Sequence, residues 1–166
     1  MINLVCQLRF VFCAVLLLLP SSLLAEAQVQ TVEDLRVLKQ QAENKNLPIL
    51  LMFTAEDCEY CDALRNNYLL PMIKSGDYKS TILIRQVYIE DYGYLRNAKG
   101  ELISGDVLAL KYDVDITPTI LFLNSKGHEL APRLIGIGNI YYFGETLDKH
   151  IAMAKAAFEK NASKKR

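Results

Sequence analysis

A chain of 166 residues with 19 Lys and Arg against 19 Asp and Glu carries no formal net charge, which argues against a nucleic-acid binder. With 51% hydrophobic and 23% charged residues it falls in the globular range and outside the disordered one. The length fits one domain, and neither a collagen-like nor a disulfide-dense composition is present.

Residues 1–27 read MINLVCQLRFVFCAVLLLLPSSLLAEA. Arg9 precedes an apolar stretch from Phe10 to Leu19, Pro20 breaks it, and small residues follow at Ala25 and Ala27. That order predicts a secretory signal peptide cut after Ala27 or Ala25. The apolar run is short for a membrane span, which needs about 20 residues; the other reading is an uncleaved anchor. Val11 and Phe12 stand before Cys13 where a lipid-attachment pattern needs small residues. The expectation is a periplasmic protein, free of the membrane once the leader is removed.

Thr31 opens a helical pattern that runs to about Lys45, with Asp34 as a capping-box-like partner. Val32, Leu35, Leu38 and Ala42 share one face of it. Ile49–Phe53 is a continuous apolar run, predicted as a strand buried on both faces. A short loop, Thr54–Asp57, leads into a second amphipathic helix from Cys58 to about Leu70, which Pro71 ends or kinks. Thr81–Ile89 is a second strand, and the polar Glu90–Gly105 reads as a long loop. Asp106–Tyr112 is a short helix, Thr119–Leu123 a third strand, Asn124–Gly127 a hairpin turn and Glu129–Ile135 a fourth strand. Tyr142–Phe158 closes the chain as a helix, with Phe143, Leu147, Ile151, Ala154 and Phe158 on one face. Residues 28–160 form one domain, and 161–166 (NASKKR) a basic disordered tail. The first two strands, joined through a helix, should be parallel, and the last two an antiparallel hairpin. This is an α/β chain with a mixed sheet of about four to five strands and helices on both faces.

Loss of the leader would remove Cys6 and Cys13 and leave Cys58 and Cys61 as one C-x-x-C. Two cysteines so close make a local dithiol rather than a disulfide framework. Cys58 falls in the first turn of its helix, where unpaired N–H groups and the helix dipole favour a thiolate. Cys61 lies one turn deeper. Cys58 is therefore the candidate nucleophile towards a partner disulfide, and Cys61 the group that resolves the mixed disulfide. Asp57 and Glu59, with Glu56 and Asp62, surround the dithiol with acids that oppose the dipole and push towards a reducing protein. Asp57, Glu59 and Tyr60 are thus candidate modulators of the Cys58 pKa. A zinc site would need a second Cys/His pair, and His128 and His150 read as surface or packing residues, so no metal is expected. No G-x-G-x-x-G is present, so no bound cofactor is expected and electrons must come from another dithiol protein.

These pieces resemble the thioredoxin superfamily: Leu50-Leu51-Met52-Phe53 before Cys58-Glu59-Tyr60-Cys61, then Thr117-Pro118-Thr119 before Ile120-Leu121-Phe122-Leu123, with Gly127, Gly136 and the closing helix. The resemblance covers about residues 31–158. It implies a thioredoxin-like fold, a cis Thr117–Pro118 bond facing the dithiol, and pairing of the Thr117 backbone with a protein disulfide substrate. It departs from the cytosolic reductant, which has Trp-Cys-Gly-Pro-Cys and a buried strand carboxylate where this chain has Met52. Cys-x-Tyr-Cys with Thr before the proline is more similar to the periplasmic disulfide isomerase. The small exported thioredoxin-like proteins of sulfur oxidation or cytochrome maturation are closer in size. The function expected is a periplasmic thiol–disulfide oxidoreductase. The alternatives are a non-catalytic thioredoxin-like binding module, such as a copper carrier or a regulatory partner, and a dithiol oxidase.

Overall fold

The apolar run at Ile49–Thr54 forms strand β1 and is buried along its whole length. A strand without a solvent face needs cover on both sides, and the elements around it supply that cover. The computed structural model describes residues 27–90 and 93–163. Apart from Ala27, the segment expected as a leader lies outside the described residues, as do 164–166 of the tail.

The elements in chain order are α1 (Leu35–Lys45), β1, α2 (Glu59–Leu64), a π-helical turn (Arg65–Leu69), α3 (Leu70–Ser75), β2 (Leu83–Tyr88), β3 (Tyr94–Arg96), β4 (Leu102–Ser104), α4 (Gly105–Lys111), β5 (Thr119–Leu123), β6 (Glu129–Ile135) and α5 (Ile140–Ser163). The main sheet has the order β2-β1-β5-β6. β1 and β2 are parallel, with Ile49 opposite Leu83. β1 and β5 are antiparallel, with Ile49 opposite Leu123, and β5 and β6 form the antiparallel hairpin.

Alternation along β1 divides the core. Leu50 and Met52 face α2, α3 and α5, among Cys61, Leu64, Leu69, Met72, Phe143, Leu147 and Ile151. Ile49, Leu51 and Phe53 face α1 and α4, among Leu38, Ala42, Leu108 and Ala109. Each fully buried Leu or Phe contributes about 1.5–3 kcal/mol. The fold is thus a thioredoxin-like α/β arrangement, a mixed four-stranded sheet flanked by helices.

Four local readings of the sequence change. α1 begins later than Thr31, because Asp34 is its N-cap and accepts the Arg36 N–H at 2.8 Å. Thr31 instead makes a parallel bridge with Gln86. There the Gln30 carbonyl takes the Gln86 N–H and Val32 donates to the Gln86 carbonyl, so this segment lines the outer edge of β2. Pro71 does not end its helix. The turn before it widens until the Leu70 N–H bonds to the Arg65 carbonyl, five residues back, and this wider turn relieves the clash a proline ring makes with the carbonyl four residues earlier. The region read as a long loop holds the β3–β4 hairpin, whose Leu95 is buried; strands of three residues are too short to show a period. Residues 161–163, assigned to a disordered tail, continue α5.

The α1 cap gives the fold a pH-sensitive point. The Arg36 guanidinium, hydrogen-bonded to the Asp34 carboxylate, holds that carboxyl down to about 2 from its usual value of 3.8. A carboxyl whose folded pKa is depressed stabilises the fold above its unfolded pKa and stops doing so as pH falls through the folded one. Melting temperatures between about pH 5 and pH 2 should therefore fall less steeply for Asp34→Asn than for the wild type. Parallel curves would show that the pair does not act on stability.

Candidate active site

β1 ends at Thr54, and the chain crosses Ala55–Asp57 to reach Cys58, the N-cap of α2. Cap positions usually carry an oxygen that accepts a free N–H of the first turn. Here the Cys58 sulfur does so, taking the Cys61 N–H at 3.2 Å. The two sulfurs are bonded at 2.06 Å, with the Cα atoms 5.1 Å apart. Cys61 is fully buried in the core layer of α2, whereas Cys58 is half-buried. Of the pair, Cys58 is the sulfur that an incoming group can reach.

Residues far away in sequence complete the site. The Thr117 hydroxyl lies 3.5 Å from the Cys58 sulfur, so Thr117 and the dithiol come together across 59 positions. The Thr117–Pro118 peptide is cis, and Pro118 is buried. Its carbonyl accepts the Gly136 N–H at 2.8 Å, and the Thr119 hydroxyl donates to the Ile116 carbonyl at 2.7 Å. Among the described residues, neither backbone polar group of Thr117 enters a backbone hydrogen bond.

Asp57, Glu59 and Tyr60 stand exposed around Cys58, as does Glu56. Asp62 departs from the sequence-derived ring of four acids, because it forms an ion pair with Arg65. His128 is exposed at the β5–β6 turn, and His150 packs against Phe122 with Nδ1 2.8 Å from the Pro132 carbonyl. Among the described residues no three His, Cys, Asp or Glu side chains gather as a metal site, and no helix is long and apolar enough to cross a membrane.

Two residues of the site escaped the sequence reading. Glu90, just past β2, accepts the Glu56 N–H on one carboxylate oxygen and ties the loop before Cys58 to the sheet. Arg65 follows Cys61 by one helical turn and donates from Nε to Gln86 Oε1 and from Nη2 to Thr54 Oγ1, each at 3.1 Å. The available signal was Thr54 at the end of the apolar β1 run and Gln86, which follows Arg85 within β2.

The profile of the thioredoxin-like domain matches residues 35–151. Thioredoxin O2 from Arabidopsis thaliana in its oxidized state is a structural neighbour, with a TM-score of 0.50 and 16% identity over 75% of this chain and 96% of that one. The thioredoxin of Malassezia sympodialis has a TM-score of 0.51 and 13% identity, covering 75% of this chain and 94% of its own. No curated protein sequence matches.

Proposed function

Because the chain belongs to the thioredoxin-like domain family, we propose that it is an exported, periplasmic thiol–disulfide oxidoreductase that reduces or shuffles protein disulfides. The observation that carries this reading is the asymmetric dithiol: one half-exposed sulfur at a helix N-terminus, one buried sulfur behind it, and Thr117 beside the first. The leader-like 1–27 supports the exported location.

In the reduced protein the helix N-terminus and the Cys61 N–H favour the Cys58 thiolate. Cys58 attacks one sulfur of a partner disulfide. A Cys58–partner bond forms, and the other partner sulfur leaves as a thiolate. Cys61 then attacks Cys58, the internal disulfide forms, and the second partner sulfur leaves. Two electrons and two protons have passed to the partner, and a separate dithiol protein restores the reduced state. Thr117 and Pro118 are the substrate-binding residues of this reading. The unused backbone groups of Thr117 can pair with an extended segment, which suits many sequences. Exposed Tyr60 and Ile116 add apolar surface beside it. Asp57 and Glu59 make the Cys58 thiolate less favourable and the protein more reducing.

Reduction of insulin by dithiothreitol tests the activity. The wild type should accelerate precipitation of the freed chains, and Cys58→Ser should leave the rate of dithiothreitol alone. A wild-type rate equal to that background would make the chain a binding module.

A further inference from the structure

Cys61 sits in an apolar layer. β1 presents Leu50 and Met52 to it, β2 Ile84, β5 Ile120 and Phe122, and α5 Phe143 and Leu147. Such surroundings disfavour a thiolate, yet the resolving step needs one. The Arg65 side chain, 18% exposed, is held under the same helix by Thr54 and Gln86 on the sheet face that carries Met52. Residues four apart on a helix have Cβ atoms about 5–6 Å apart, and a guanidinium keeps its charge throughout. We propose that Arg65 is a positioning residue whose largely enclosed charge makes the Cys61 thiolate accessible for resolution.

This inference rests on the reading of Cys61 as the resolving thiol. In the step concerned, Cys61 gives its proton to solvent and attacks the Cys58 sulfur of a mixed disulfide. The Cys61–Cys58 bond forms, the Cys58–partner bond breaks, and the partner leaves with the electron pair as a thiolate. Arg65 takes no proton; its field lowers the cost of the attacking anion.

Other charges bear on the same sulfur. Asp62 pairs with Arg65, but at 55% side-chain exposure it is screened by water while the guanidinium is enclosed. Glu59, Glu56 and Asp57 are exposed at the helix start. From β2 comes the Glu90 carboxylate, occupied with the Glu56 N–H, and from the N-terminal segment Glu33, which lines a cavity together with Arg65, Gln86 and Tyr88. All of these are negative, and Arg65 supplies positive charge against them.

The experiment reads resolution directly. The reduced full-length chain, with Cys6 and Cys13 both replaced by Ser so that Cys58 and Cys61 are its only thiols, is mixed with dithiobis(nitrobenzoate) in a stopped-flow instrument; the first thionitrobenzoate released marks attack by Cys58, the second marks resolution by Cys61. Arg65→Met should move the pH profile of the second phase up by about one unit and slow it about tenfold at neutral pH, and Arg65→Lys should restore most of the rate. Asp62→Asn should move the profile the opposite way, a reversal that simple damage to packing does not produce. It also carries the test if Arg65→Met fails to fold. An unchanged second phase in Arg65→Met, or an upward shift in Asp62→Asn, overturns the proposal. A wild type with a normal second phase but no insulin reduction would instead sink the proposed function.

Discussion

Reduced Cys61→Ser, mixed with an excess of a disulfide-bonded protein, should accumulate a covalent complex, and Cys58→Ser should accumulate none. The two sulfurs differ in what can touch them. Cys58 caps its helix, half-buried, with the Thr117 hydroxyl beside it; Cys61 is fully enclosed by the core layer under α2. An incoming disulfide therefore meets Cys58 first. Without Cys61 nothing displaces the partner, and the mixed disulfide persists. Without Cys58 the remaining thiol is out of reach. Turnover should fall to the level of the added reductant in both variants, so the gel under non-reducing conditions separates them. A complex trapped through Cys61 in Cys58→Ser would reverse the assignment.

A second large effect is expected far from the sulfurs, at Gly105→Ala. Gly105 opens α4 where that helix crosses the end of β2. A Cβ placed there would lie 1.7 Å from the Tyr88 carbonyl oxygen, 2.8 Å from its carbon and 3.2 Å from the Ile89 Cα. These are backbone atoms and cannot swing aside, so either α4 or the end of β2 has to move. The Ile89 N–H bonds to the Thr54 carbonyl, and the Glu90 carboxylate holds the Glu56 N–H, so a shift of β2 reaches the loop that leads to Cys58. Gly105→Ala should cost about 3 kcal/mol in urea unfolding, the upper range for overpacking. Gly138→Ala provides the contrast. Its Cβ would meet nothing within 4 Å, and only its φ of +57° opposes a side chain, a cost of about 1 kcal/mol. Equal unfolding midpoints for the two variants would show that the close approach at Gly105 relaxes freely.

The parts of the fold that were legible are those written in neighbouring residues. Thr119–Leu123 and Glu129–Ile135 stand where the sequence puts them, because an apolar run and an Asn-Ser-Lys-Gly turn delimit them. The dithiol was legible from spacing alone, whereas Thr117 and Pro118 entered only through a family resemblance. What escaped depends on partners distant in sequence. Arg65 meets Gln86 across 21 positions and Glu56 meets Glu90 across 34; a polar residue such as Gln86 in a strand shows that a partner is needed, but no local pattern says which one. The helical period also misleads across Arg65–Leu69, since one wide turn shifts the buried face from Cys61 and Leu64 to Leu69 and Met72. The late start of α1 has a similar origin: Val32 is buried, as an amphipathic pattern requires, but by the segment along β2 rather than by a helix.

That segment also bears on how the protein behaves when crowded. A sheet with a bare edge can recruit a strand from another molecule, and aggregation starts there. On the β2 side, Gln30 and Val32 occupy the backbone groups of Gln86. On the β6 side, Pro132 has no N–H to offer, and its carbonyl, which can only accept, faces His150 Nδ1 at 2.8 Å. Next to it Arg133 is committed to Glu129 and to the Tyr112 and Asp113 carbonyls. Both flanks of the sheet are thus blunted against self-templating at Gln86 and at Pro132, which leaves the Thr117 backbone, free of backbone hydrogen bonds among the described residues, as an unpaired stretch beside the sulfur.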